Sequence, residues 1–141
     1  MNTVSKTLNC SILEFREILL NPEKYDIVGY TEIKKKSENL YILTFGEKNE
    51  LTMQYTIKPD SEINRIEIEM VNINTFKNIQ YFIFDFEINE SDQLCVQCNE
   101  ELMDLEKSHK LFNQLIDHLN LNQEVIISII KRIEGFIKAN G

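Results

Sequence analysis

Residues 3–10 alternate between two sides of an extended chain. Val4, Lys6, Leu8 and Cys10 share one side and Thr3, Ser5, Thr7 and Asn9 the other, the two-residue period of a β-strand. At Ser11 the period changes. Ile12, Phe15, Ile18 and Leu19 fall on one helical stripe, and Ser11 with Glu14 three residues later has the form of a capping box. Pro22 lacks an N–H and cannot continue that helix, yet it suits the first turn of another, with Asn21 as cap and Leu20 and Tyr25 as a hydrophobic staple. The pattern predicts two short helices meeting at a corner, the second ending near Gly29.

Beyond Gly29 the two-residue period returns. Segments 30–36, 40–45, 51–58, 63–71, 79–88 and 94–103 read as strands, separated by turns such as Gly46-Glu47-Lys48-Asn49, Pro59-Asp60-Ser61 and Asn89-Glu90-Ser91-Asp92. Six strands so connected imply an antiparallel meander, seven strands in all with the first. Leu51, Met53, Tyr55 and Ile57 oppose Thr52, Gln54, Thr56 and Lys58, and Phe82, Phe84, Phe86 and Ile88 oppose Asp85 and Glu87. One face of this sheet is wet and the other must be covered.

The last third of the chain is expected to supply the cover. Leu105, Phe112, Leu115, Ile116 and Leu119 give a first helical stripe, and Asn120-Leu121-Asn122 interrupts it. Ile126, Ile129, Ile130, Ile133 and Ile137 then form an apolar seam over residues 123–138, with Asn122 as the expected cap. Sixteen residues of helix run about 24 Å, and a seven-residue strand about 23 Å, so this helix can span the sheet. The expected fold is α+β, one domain over residues 1–141, a curved sheet with a long C-terminal helix across its concave face.

Composition narrows the partners. With 15 basic against 23 acidic residues, net charge −8, the chain has no obvious source of the phosphate neutralisation that drives nucleic-acid binding. Lys34-Lys35-Lys36 reads as a solvated hairpin end. No run of about 18 apolar residues is present, so no membrane span is expected, and the absence of a secretory leader predicts a cytoplasmic protein. Three cysteines, an odd number, fit reduced thiols better than a disulfide framework. The oligomeric state is not legible.

Several residues invite a chemical reading. Cys95 and Cys98 have Cys-x-x-Cys spacing, but residues three apart on a strand face opposite ways and would not chelate one ion. Glu106 and His109 have the spacing of di-iron bundles, which need that motif twice; His118 suits a helix C-terminus. Neither metal nor cofactor is expected, and no catalytic residue can be assigned. Glu100-Glu101 is more informative. With Leu94, Val96 and Cys98 inward, Glu100 faces the covered side, where a carboxylate among apolar groups would orient a ligand or act as a general acid. The Phe82, Phe84 and Phe86 row either fills a core or lines a cavity.

The segment Ser11-x3-Phe15-x2-Ile18-Leu19-x-Asn21-Pro22-Glu23-Lys24-Tyr25, with Gly29 after it, resembles the link between the first two strands of the START-like, polyketide cyclase/dehydrase (SRPBCC) superfamily. The element order is that of its helix-grip fold. Two features depart from the family: Lys36-Ser37-Glu38-Asn39-Leu40 contains no glycine where plant members carry a glycine-rich loop, and Ile27-Val28-Gly29 stands where many bacterial members carry an aromatic residue. The resemblance implies a cavity between sheet and terminal helix that holds a small hydrophobic or amphipathic molecule such as a lipid. Tyr55, Phe82, Phe84, Phe86, Ile126, Ile130 and Ile133 would then be its walls and Glu100 its polar group. The alternatives are an enzyme of the cyclase/dehydratase or hydrolase type, and a protein-interaction subunit with a filled core that presents the loop around Phe76.

Overall fold

The computed structural model describes residues 2–59, 63–72, 78–104 and 124–140. The expected helical stripe of residues 105–119, both histidines, the Asn122 cap and the loop around Phe76 lie outside these. Strand β1 (Asn2–Leu8) is followed by helix α1 (Ile12–Leu20), then β2 (Glu32–Ser37), β3 (Leu40–Phe45), β4 (Leu51–Pro59), β5 (Arg65–Asn72), β6 (Asn78–Ile88), β7 (Leu94–Asp104) and helix α2 (Glu124–Asn140). The seven strands form one curved antiparallel sheet in the order β1-β7-β6-β5-β4-β3-β2.

That order explains the early break. The chain begins at one edge of the sheet and must resume at the other, a crossing of about 29 Å at roughly 4.8 Å per strand. Helix α1 and the turn after it make the crossing. Ser11 caps the helix by accepting from the Glu14 N–H at 3.1 Å, and Phe15, Ile18 and Leu19 are buried. Phe15 meets Phe84 and Phe86 edge-on, with centroids 6.3 and 4.9 Å apart, so α1 lies on the concave face.

The corner differs from expectation in one respect. Residues 22–24 make only a turn, closed by the Tyr25 N–H on the Asn21 carbonyl at 2.8 Å. Asn21 is the C-cap of α1, its Nδ2 donating to the Glu17 carbonyl at 2.7 Å, and not the N-cap of a second helix. An asparagine amide can satisfy an orphan helix carbonyl as readily as its oxygen can cap an N–H, and here the carbonyl claims it. The Tyr30 hydroxyl secures the turn on the Pro22 carbonyl at 2.7 Å. Asp26 Oδ1 accepts from the Val28 and Gly29 N–H groups, and Gly29 takes φ +85°, a conformation that favours glycine.

On the concave face, direct cross-strand pairing builds rows: Ile57, Ile68, Phe82, Glu100 and Asn2 in one, Tyr41, Tyr55, Met70, Gln80 and Leu102 in the next. The outer face is polar and paired. Arg65 meets Asp85 at 2.7 and 3.2 Å, and the Tyr81 hydroxyl donates to Glu67 at 2.8 Å. Helix α2 buries Ile126, Ile129, Ile130 and Ile133 and meets β1, β7 and α1. Lys6 pairs with Glu134 at 3.9 Å, and Phe136 packs edge-on against Tyr25 at 5.1 Å. Among the described residues no helix is long and apolar enough to cross a membrane, and no group of three or more His, Cys, Asp or Glu could hold a metal ion.

Candidate functional site

Because α2 leans on β1 and β7, its first turns stand away from the middle of the sheet. A cavity of about 350 Å³ remains between them. The sheet side is formed by Phe45 of β3, Leu51 and Met53 of β4, Met70 of β5, and Gln80 and Phe82 of β6. Val28 closes the corner, and Glu124, Val125, Ser128 and Ile129 face it from the helix. Most of this wall is apolar, with three polar side chains among it.

Behind the wall stands a buried carboxylate. Glu100, 2% exposed, faces inward with Leu94, Val96 and Cys98. Its Oε1 accepts from Asn2 Nδ2 at 3.2 Å and its Oε2 from Gln80 Nε2 at 2.9 Å. β1 puts Asn2 directly opposite Glu100, while Gln80 lies one diagonal away, opposite Leu102. Buried polar oxygens need hydrogen-bond partners, and here each oxygen of the carboxyl group has an amide.

Of the residues expected as walls, Phe82 lines this cavity. Glu100 adjoins it through Gln80. Phe84 and Phe86 are packed against Phe15. Ile126, Ile130 and Ile133 are buried in the α2 interface. Tyr55 is buried edge-on to Tyr41 with 6.3 Å between centroids, and its hydroxyl, fully enclosed, has no hydrogen-bond partner among the described residues. Burial pushes that hydroxyl well above the usual tyrosine range, with the Asp26 carboxylate and Tyr41 adding to it.

Sequence reasoning missed every other residue of the lining, Gln80, Met70, Val125 and Ser128 among them, and it missed Asn2 beside Glu100. Gln80 was within reach, because it shares the two-residue phase of Phe82, Phe84 and Phe86.

Cys95 and Cys98 stand on opposite faces, Cys98 fully buried among apolar groups and Cys95 half-exposed. A larger hollow of about 750 Å³ lies against the outer face, bounded by Ser5, Thr7, Asp85, Glu87, Cys95 and Gln97 among others. Polar and apolar surface are about equal in it, whereas the hollow under α2 is mostly apolar, so the latter is the better candidate for an apolar guest.

No protein-family model and no curated protein matches the chain. Among solved structures, the chain is similar to a START superfamily protein from Mycobacterium smegmatis, with 12% identity, 99% of each chain covered and a TM-score of 0.64. It is similar to a conserved protein from Geobacillus kaustophilus, with 14% identity, 98% of this chain and 95% of that one covered and a TM-score of 0.65. Ara h 8.0201 gives 12% identity, 99% and 97% coverage and a TM-score of 0.61. At these identities the likeness is one of fold, and the fold is the START-like helix grip.

Proposed function

We propose that this protein binds, or transports, a small hydrophobic or amphipathic molecule such as a lipid in the cytoplasm, held in the cavity between the sheet and α2. The observation that carries this reading is the void itself. It is open to solvent on one side, and its wall is mostly apolar, with Phe45, Leu51, Met53, Met70, Phe82, Val125 and Ile129 in it. Such a void holds water or a guest, and a mostly apolar wall favours an apolar guest. The fold supports the same reading, since a curved sheet gripping a helix leaves space between the two layers.

In this reading Phe82 touches the guest and Glu100 acts through Gln80. Tyr55, Phe84, Phe86, Ile126, Ile130 and Ile133 form the packed frame that holds the walls apart. The described groups that meet Glu100 are two amides, which carry no titratable proton at neutral pH. That pairing supports positioning of a guest over the general acid catalysis a cyclase, dehydratase or hydrolase needs.

Titration with the neutral fluorophore N-phenyl-1-naphthylamine tests the proposal, with native mass spectrometry of the protein from its host as a second readout. One equivalent binds the wild type, and Val125→Trp, which fills the cavity from α2, reduces the affinity at least tenfold while circular dichroism is unchanged. No uptake by the wild type, or equal uptake by both proteins, overturns it.

A further inference from the structure

The chain has three arginines, and two of them are engaged within the fold. Arg16 donates to the Ile63 carbonyl at 2.6 Å, and Arg65 is forked onto Asp85 at 2.7 and 3.2 Å. The third, Arg132 of α2, is exposed, and its guanidinium has neither a hydrogen bond nor an ion pair among the described residues. It is not loose on the surface, however. It is folded over Gly29, with Nη2, Cζ and Nη1 at 2.7, 3.2 and 3.7 Å from the point a Cβ would occupy. The corner beneath it is already closed: Asp26 Oδ1 accepts from the Val28 and Gly29 N–H groups at 3.0 and 2.6 Å, and the Tyr30 hydroxyl donates to the Pro22 carbonyl at 2.7 Å.

That position is the rim of the hollow. Val28, the residue before Gly29, closes one corner of it, and Ser128 and Ile129 line it from α2. Arg132 follows those two by four and three residues, so all three share one helical face. A molecule whose apolar part lies along Met53, Met70 and Phe82, and whose polar end points toward Val28 and Ser128, brings that end to the guanidinium. A guanidinium is a permanently charged, planar fork of N–H donors, and the group that matches it is a carboxylate held by two parallel N–H···O bonds.

The acidic groups around the hollow stand clear of this end. Glu124, the charged residue of the described lining, is eight residues earlier on α2, about 12 Å along the helix axis. That exceeds the screening length of about 8 Å at physiological salt. The Glu100 carboxyl is met by the Asn2 and Gln80 amides. The net charge of −8 repels anions at long range, and it repels a monoanion less than a phosphate dianion.

We infer that the guest is an amphipathic monoanion, an apolar body ending in a carboxylate, and that Arg132 at the rim binds the carboxylate while the apolar wall holds the rest. This inference rests on the cavity reading given above and specifies its ligand class.

The test is displacement of N-phenyl-1-naphthylamine at pH 7.5 and low ionic strength by three probes of equal chain length: decanoate, 1-decanol and decylamine. Arg132→Gln is expected to weaken decanoate by about tenfold or more while decanol changes less than twofold. Arg132→Lys, which keeps the charge and loses the fork, falls between the wild type and Arg132→Gln. Added sodium chloride weakens decanoate on the wild type and leaves decanol unchanged. Because Arg132 is exposed, its replacement leaves the core untouched, and an unchanged circular dichroism spectrum verifies this.

Decanoate affinity within twofold of wild type in Arg132→Gln overturns the inference and leaves the cavity reading standing. So does an equal loss of decanoate and decanol, or a wild type that binds decanol and refuses decanoate. Failure of the fluorophore and all three probes to bind the folded wild type overturns both.

Discussion

Tyr55→Phe should make this protein more stable, against the usual direction of core substitutions. Tyr55 is 1% exposed, edge-on to Tyr41 and directly opposite Met70, and its hydroxyl has no hydrogen-bond partner among the described residues. Leaving such a group unpaired in the interior costs about 1–3 kcal/mol. Removing the oxygen leaves a void on the order of 10 Å³, which at roughly 24 cal/mol per Å³ costs only about 0.2 kcal/mol. The net expectation is a gain of about 1–2.5 kcal/mol. At about 2–4 °C per kcal/mol for a domain of this size, the melting temperature rises by roughly 2–10 °C.

Alkaline pH sharpens the test. Burial raises the folded-state value of this hydroxyl above the ordinary 10.0 that it regains on unfolding. The unfolded state therefore releases this proton first, so the stability of the wild type is unaffected by it below pH 10 and falls as pH rises beyond that, by up to about 1.4 kcal/mol per pH unit. The advantage of Tyr55→Phe over the wild type should grow above pH 10. Urea unfolding followed by circular dichroism, at pH 7.5 and 10.5, measures both effects. A loss of 1 kcal/mol or more at pH 7.5, with an unchanged denaturant slope, would refute the reasoning, because it would mean that the hydroxyl has a partner in solution.

Phe84→Ala removes a ring packed between α1 and the sheet, away from the cavity, and is expected to cost about 3–5 kcal/mol in urea unfolding. Ligand affinity of the protein that remains folded should change less than threefold; a tenfold loss would move Phe84 from frame to wall. Labelling with a disulfide reagent at pH 8 should order the three thiols. Cys95 reacts first. Cys10, pushed up to about 11 from 9.0 by burial and by Glu14, carries about a hundredfold less thiolate than an unburied thiol and follows slowly. Cys98, raised further by burial and by Glu100, reacts at the rate of global unfolding. Fast labelling of Cys98 in the native state would contradict its placement in the core.

Much of this fold is written in local pattern. The alternation in 51–57 and 82–88 marks one covered face because a strand has only two sides, and the isoleucine seam of α2 marks the element that covers it. Glu100 was found for the same reason, since its inward phase follows from Leu94, Val96 and Cys98 whatever the strand pairs with. Turn chemistry is nearly as local. It located the corner at Pro22 but could not say whether Asn21 would serve the helix before it or a helix after it, because both uses satisfy one side chain.

What a one-dimensional pattern lacks is neighbours and angles. Asn2 meets Glu100 only because β1 pairs with β7, a contact across 98 positions that follows from closing the sheet order at its far edge. Phe82, Phe84 and Phe86 look equivalent along the chain, yet α1 fills the space over the last two, while the lean of α2 leaves a hollow over the first. Which inward residues become core and which become wall is set by where the second layer rests. That is a balance of packing between elements far apart in sequence, and it appears only when the chain is folded.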